Sequence, residues 1–242
     1  MELNIMKRSS SELKQMARGT LIGRYSLPIC AYLVTYAISI ALEAILGVVF
    51  PFSENTAAYV TYLIASFICS LLLVVLKAGP TTILLDMSRG GRGQMKDVFY
   101  AFTHQPDRIL LSQLLISLIG FACVLPGILL YAACSFWQLS LFFKILSLLL
   151  FAAGIVLSIY LMLSYVLVVP LYIDCPQTGA LELLRESRIL MKGNKGRYFY
   201  MELSFLGIAL LGTLSCFIGL LWVIPYAEMT ALEFYREIVG EI

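Results

Sequence analysis

The segment ALELLRESRILMKGNKGRY, Ala180 to Tyr198, decides how the rest of the chain reads. Ala180, Leu183, Leu184, Ser187, Leu190 and Met191 recur at helical spacing on one face, while Glu182, Arg185, Glu186 and Lys192 fall opposite. Gly193-Asn194 then predicts a helix stop. A strongly apolar run precedes this polar segment and another follows it. A basic amphipathic helix leading into a membrane span belongs at the cytoplasmic interface.

Composition supports that setting. Of 242 residues, 60% are hydrophobic and 13% charged, and the mean hydropathy is +0.90. Soluble domains run at about 45–50% apolar and about 25% charged. An all-α integral membrane protein is therefore expected, forming a single transmembrane domain over residues 1–242. The first apolar run begins near Leu27 after a long polar helix and is too long for a signal-peptide core, so it should insert and remain. The six cysteines are scattered and lack any C-x-x-C pair, which favours small packing residues over a disulfide framework or a zinc site.

Working outward from Ala180, the same plan recurs twice upstream. Ser9 to Glu12 has the form of a capping box, and Leu13, Met16, Ala17, Thr20 and Leu21 make the apolar face of a first interfacial helix. Met95, Val98, Phe99 and Phe102 make the stripe of a second. Spans are expected over about 25–50, 57–85, 109–133 and 144–173, with turns at Pro51–Asn55 and Ser135–Phe143 and a kink at Pro126-Gly127. Beyond Phe199 the chain either crosses once, giving five spans, or folds back near Gly212–Ser215, giving six. The three units, roughly 1–86, 87–174 and 175–242, favour six. Gly23-Arg24-Tyr25 and Gly196-Arg197-Tyr198 occupy matching places, Asp107-Arg108 stands in the second unit, and the return spans carry Pro80, Pro170 and Pro225.

The basic residues fix orientation. Those before the first span, those between the second and third, and those of the opening segment share one side. The outer turns hold only Lys144. This positive-inside pattern predicts a cytoplasmic N-terminus in a bacterial cytoplasmic membrane. Arg24, Arg92, Arg108, Arg188, Lys192 and Arg197 are expected to meet anionic lipid headgroups, each contributing about 1 kcal/mol near the surface. Nucleic acid is not implied, because topology already accounts for the charge.

Intramembrane charges are costly, about 2.5–3.5 kcal/mol each at the bilayer centre on insertion scales. Glu43 lies ~27 Å from the inner end of its span and Lys77 about 12 Å from the inner end of the next, so these two should not meet. Lys77, Glu202 and Glu228, with Tyr226 and Thr230 nearby, form a candidate polar cavity in the inner half. The plainer reading is snorkelling to the interface with one structural pair. Glu43 and Lys144 are a candidate outer pair. His104 lacks metal or triad partners in the sequence. Gly90-Gly91-Arg92-Gly93 lacks the G-K-[ST] ending of a P-loop. No catalytic, cofactor or metal residues are assigned, and a non-enzymatic role is expected.

Ser187 to Lys195, Leu203 to Gly207, Leu221 to Tyr226 and Glu233-Phe234-Tyr235 together resemble the signature run of a bacterial membrane family called domain of unknown function 975. The N-terminal helix with Ala17, Leu21 and Gly23 resembles its opening. Departures are Ala153-Gly154-Ile155, where the family tends to Pro-Gly-Ile, and Ile208, where it tends to Trp. The resemblance implies a six-helix membrane protein distantly similar to the membrane portion fused to some glycerophosphodiester phosphodiesterases. It implies no activity and supplies no catalytic residues.

Three functional readings follow: a lipid-interacting or accessory membrane protein, with a membrane protein or its own copy as candidate partner; a small transporter or channel using Lys77, Glu202 and Glu228; and, least favoured, a membrane enzyme of lipid metabolism.

Overall fold

The computed structural model describes residues 7–50, 56–138 and 140–242, and its secondary structure there is entirely helical. The expected turn at Pro51–Asn55 lies outside the described residues. The elements are α1 (Ser10–Leu21), α2 (Ser26–Val49), α3 (Thr56–Ser88), a 3-10 turn (Met95–Phe99) running into α4 (Tyr100–Thr103), α5 (Pro106–Phe136), α6 (Leu141–Met162), α7 (Val168–Asp174), α8 (Ala180–Leu190), α9 (Lys195–Leu203), α10 (Leu206–Leu214) and α11 (Leu220–Val239).

Helix α1 begins as its sequence directs. The Ser9 hydroxyl accepts from the Glu12 amide at 3.3 Å, and the Glu12 carboxylate accepts from the Ser9 amide at 2.7 Å. Leu13, Ala17 and Leu21 are buried on one face. Helix α8 likewise buries Ala180, Leu183, Leu184 and Ser187, and Gly193 turns the chain at φ +79°, a left-handed conformation that glycine adopts without a Cβ penalty. The second stripe differs. Only Val98 of its four members is buried, whereas Met95, Phe99 and Phe102 point outward. The close approach of α3 explains this: a Cβ on Gly79 would overlap the Val98 carbonyl oxygen, so the 3-10 turn is pressed backbone-first onto α3.

Four helices are long and apolar enough to cross a membrane: Ser26–Val49, Ala57–Ser88, Pro106–Phe136 and Leu141–Met162, with at most 17% of each apolar window buried within the chain. The expected fourth span does not run unbroken to Ile173. It ends at Met162, and α7 restarts at Val168. Pro170 has no N–H to offer the carbonyl one turn earlier. In the break, the Ser187 hydroxyl of α8 donates to the Ser164 carbonyl at 2.8 Å, supplying a partner from outside the helix. Helices α5 and α6 form a tight hairpin in which a Cβ on Gly127 would lie 2.6 Å from the Phe151 Cα.

After α10 the chain turns back through 215–219. Cys216 and Phe217 take positive φ there, and α11 packs along α10. Helix α10, nine residues long, spans only about 13 Å. The chain folds back here, and neither α10 nor α11 is among the four helices long and apolar enough to cross a membrane.

The buried core gathers at one end of the bundle. There α1 packs on α11, the 3-10 turn and α4 pack on α3, and α8 packs on α7 and α5. Leu13, Leu21, Ile83, Met87, Tyr172, Leu183, Phe234 and Tyr235 are essentially inaccessible, while Val48, Phe136, Trp137, Leu141 and Phe142 at the far ends are well exposed. Among the cysteines Cys134 is fully packed, whereas Cys30, Cys175 and Cys216 face outward.

Candidate functional site

A cavity of about 440 Å³ opens between α2, α3 and α11, with residues of α5, α7 and α9 and the 163–167 break completing its wall. Position in the helices explains which side chains reach it. Tyr32, Thr35 and Tyr36 are neighbours one turn apart on α2. Lys77, Pro80 and Thr81 share one face of α3, and Glu228 stands on α11 between Ile224 and Ala231-Leu232. Gln113 enters from α5 and Tyr198 from α9. The tyrosine rings at 32 and 36 stack with centroids 6.3 Å apart and planes 30° apart, making one continuous aromatic wall. Glu228 lies within electrostatic reach of Tyr32, Tyr36 and Tyr198.

Of the residues singled out for this cavity, Lys77 and Glu228 line it together, both well exposed to the open space. Among the described residues neither side chain has a hydrogen-bond or ion-pair partner, and no salt bridge joins them. Glu202 is not among the lining residues; it faces Tyr198 and Lys14 and lies within electrostatic reach of Glu228. Tyr226 turns the other way. Its ring packs edge-on against Phe205 at 5.2 Å and its hydroxyl donates to the Lys14 carbonyl at 3.4 Å, because the opposite side of α11 is covered by α1. Glu43 and Lys144 are exposed and, among the described residues, form no ion pair, since α2 packs on α3 and α11 while α6 packs on α5.

The basic residues divide in the same manner. Arg24 and Arg92 line a second pocket of about 280 Å³ with Gly23, Ser26, Leu27 and Met87. Arg188 and Lys192 are exposed. Arg108 instead donates to the Gln177 carbonyl, and Arg197 is held by Glu237 and the Arg8 carbonyl.

A second cluster escapes any reading of local sequence. Arg89, just past α3, makes a bidentate pair with Asp174 at the end of α7 (2.6 and 2.8 Å) and also reaches Glu241. Arg236 donates to Glu233 at 2.9 Å, to Glu241 at 3.0 Å and to the Ser88 carbonyl at 2.6 Å, and the Tyr235 hydroxyl donates to Asp174 at 2.6 Å. Burial alone would raise the Asp174 carboxyl, yet the hydrogen bonds from Arg89 and Tyr235 hold it below the usual carboxylate range. The Arg89 hydrogen bond lowers Glu241 likewise. With Arg197–Glu237, these contacts tie α3, α7, α9, α11 and the residues before α1 into one polar knot beside the core.

His104 is exposed and stacks on Tyr100 with centroids 4.1 Å apart, and its carbonyl accepts from the Tyr172 hydroxyl. It takes no part in either cluster.

Apolar helices left uncovered along their length, a core confined to one end and a polar cavity between helices are the marks of an α-helical membrane protein. More particularly, the chain belongs to the family described as protein of unknown function (DUF975), which it matches over residues 6–241. No curated protein and no solved structure matches it.

Proposed function

We propose that the protein is a non-enzymatic, multi-pass protein of the bacterial cytoplasmic membrane that binds the polar part of a small amphiphile in the α2/α3/α11 cavity. The observation that carries this reading is that the cavity is walled by apolar helices yet carries unpartnered Lys77 and Glu228 beside three tyrosines and Gln113. Binding pockets combine an apolar lining with a few convergent polar groups in this way. The topology that goes with it has six helices in three units, the third hairpin shortened and both termini cytoplasmic. Its support is the basic character of the loops at the core end and the packing of α1 on α11. The exposed stripe of Met95, Phe99 and Phe102 would then lie among lipid at the interface, with Arg24, Arg92, Arg188 and Lys192 attracting anionic headgroups.

The test is native mass spectrometry of the purified full chain beside Thr81→Trp, which adds bulk at the cavity wall. A co-purifying amphiphile on the wild type that is lost from a folded Thr81→Trp variant supports the reading. The same bound complement in both refutes it. A transporter is the second reading, favoured by the presence of Pro80 and Pro170 in the cavity wall, where helices lack one backbone hydrogen bond and can flex. Liposome flux of the bound amphiphile separates carrier from receptor.

A further inference from the structure

The geometry points to a ligand that is a zwitterion, bearing a primary ammonium bound at Glu228 and a phosphate or carboxylate bound at Lys77. This inference rests on the cavity being a binding site and adds what the site selects.

The cavity presents two opposite charges to one volume without joining them. Each unpaired charge at membrane depth is costly, so side chains free to approach would be expected to pair or snorkel apart. Held on different helices about a shared space, they are instead complementary to a molecule that carries both signs. A purely anionic headgroup would meet the Glu228 carboxylate, and a purely cationic ligand would meet Lys77. A zwitterion satisfies both and adds no net charge to the bundle.

The surroundings assign the ends. Tyr32, Tyr36 and Tyr198 stand around Glu228, and aromatic faces attract an ammonium group. Glu228 offers a carboxyl with no hydrogen-bond partner among the described residues; ionised beside a cation, its oxygens accept the N–H donors that a primary ammonium has and a quaternary one lacks. Lys77 supplies three donors for the anionic end, and Thr81 and Gln113 line the same cavity with further hydrogen-bonding groups. The shared chemistry is found in the headgroup of an ethanolamine phospholipid and in soluble glycerophosphoethanolamine.

The test is titration of the full chain in detergent, by calorimetry, with short-chain phosphatidylethanolamine, phosphatidylcholine, phosphatidylglycerol and soluble glycerophosphoethanolamine. Saturable binding of the ethanolamine lipid, at least ~10-fold tighter than the choline and glycerol lipids, supports the inference. Glu228→Gln should then abolish the preference over phosphatidylglycerol, and Lys77→Met should weaken ethanolamine lipid binding by a similar factor. If either variant fails to fold, the wild-type selectivity series decides. Binding of the lipid alone assigns a membrane source. Binding of glycerophosphoethanolamine as well, or alone, assigns the free headgroup chemistry. Choline or glycerol lipid binding as tightly as the ethanolamine lipid overturns the zwitterion while leaving the cavity reading intact. Absence of binding by every probe overturns the inference too. The Thr81→Trp comparison then shows separately whether the cavity reading falls with it.

Discussion

The C-terminal end of α11 should depend on Arg236 more than on any apolar contact nearby, and Arg236→Met tests this. The guanidinium is 13% exposed and its partner Glu233 is 1% exposed. Substitution removes the donors to Glu233, Glu241 and the Ser88 carbonyl. Glu241 retains Arg89, but Glu233 is left buried without its hydrogen-bonded cation, Arg8 acting on it only from a distance. Breaking a buried pair from one side costs about 3–5 kcal/mol, most of it the stranded charge. At roughly 2–4 °C per kcal/mol for a chain of this size, the melting temperature should fall by ~6–20 °C. The double variant Arg236→Met/Glu233→Gln removes the stranded charge and should lose only the neutral remainder, about 1–2 kcal/mol. The double variant should therefore be more stable than the single one. Thermal unfolding in detergent followed by circular dichroism reads both. A single variant within 1 kcal/mol of wild type, or a double variant worse than the single, would refute the reasoning.

The polar knot should also be sensitive to acid. Asp174 and Glu241 have folded pKa values below their ordinary ones, 3.8 and 4.5, so their contribution is complete above that range and is lost as pH falls through it. Melting temperatures measured from pH 7 to pH 3 should drop at the acid end, less steeply in Asp174→Asn, and an identical slope in that variant would contradict this origin. Gly79→Ala should destabilise by several kcal/mol, since its Cβ overlaps backbone of the 3-10 turn and not a movable side-chain tip; an unchanged denaturation midpoint would show that the turn can shift. In a cysteine-free background, single cysteines at Ser11 and Glu241 should label from the same side of the membrane, because α1 packs on α11. Labelling from opposite sides would exclude the fold-back as it occurs in the bilayer.

Elements were legible in the sequence where hydropathy alone sets them. The limits of α2 and α3 follow the apolar runs, and α1 and α8 follow their buried faces. The break before α7 was not foreseen: Pro170 was a signal that could have been used, but the accommodation of the break needs Ser187, distant in sequence. Of the cavity, Lys77 and Glu228 stood out as charges in apolar surroundings. Tyr32 and Tyr36 were passed over because tyrosine is ordinary in a span, although their i, i+4 spacing places both on one face. Gln113, the sole amide in Pro106–Phe136, carried a signal that could have been used. The knot left no local trace. Positive-inside counting registers that Arg89 and Arg197 are basic but not that Asp174 and Glu237 lie opposite them, 85 and 40 residues away. Tyr226 misled for a related reason: it is two residues from Glu228 in sequence, but two residues along a helix point to different sides.

The same packing that makes the knot also explains the cavity. Each short amphipathic element rests on a helix distant in sequence or preceding it: α1 on α11, the 3-10 turn and α4 on α3, and α8 on α7. Those contacts fasten α3, α7 and α11 where Arg89, Asp174 and Arg236 interlock, while Pro80 and Pro170 stand in the cavity wall. Helices fixed at one end and unable to close fully where proline removes a hydrogen bond will leave space between them. Filling that space with aliphatic side chains would gain apolar burial, yet the chain places Lys77, Glu228 and Gln113 there. That choice of lining, against the packing interest, is what the proposed ligand-binding reading accounts for.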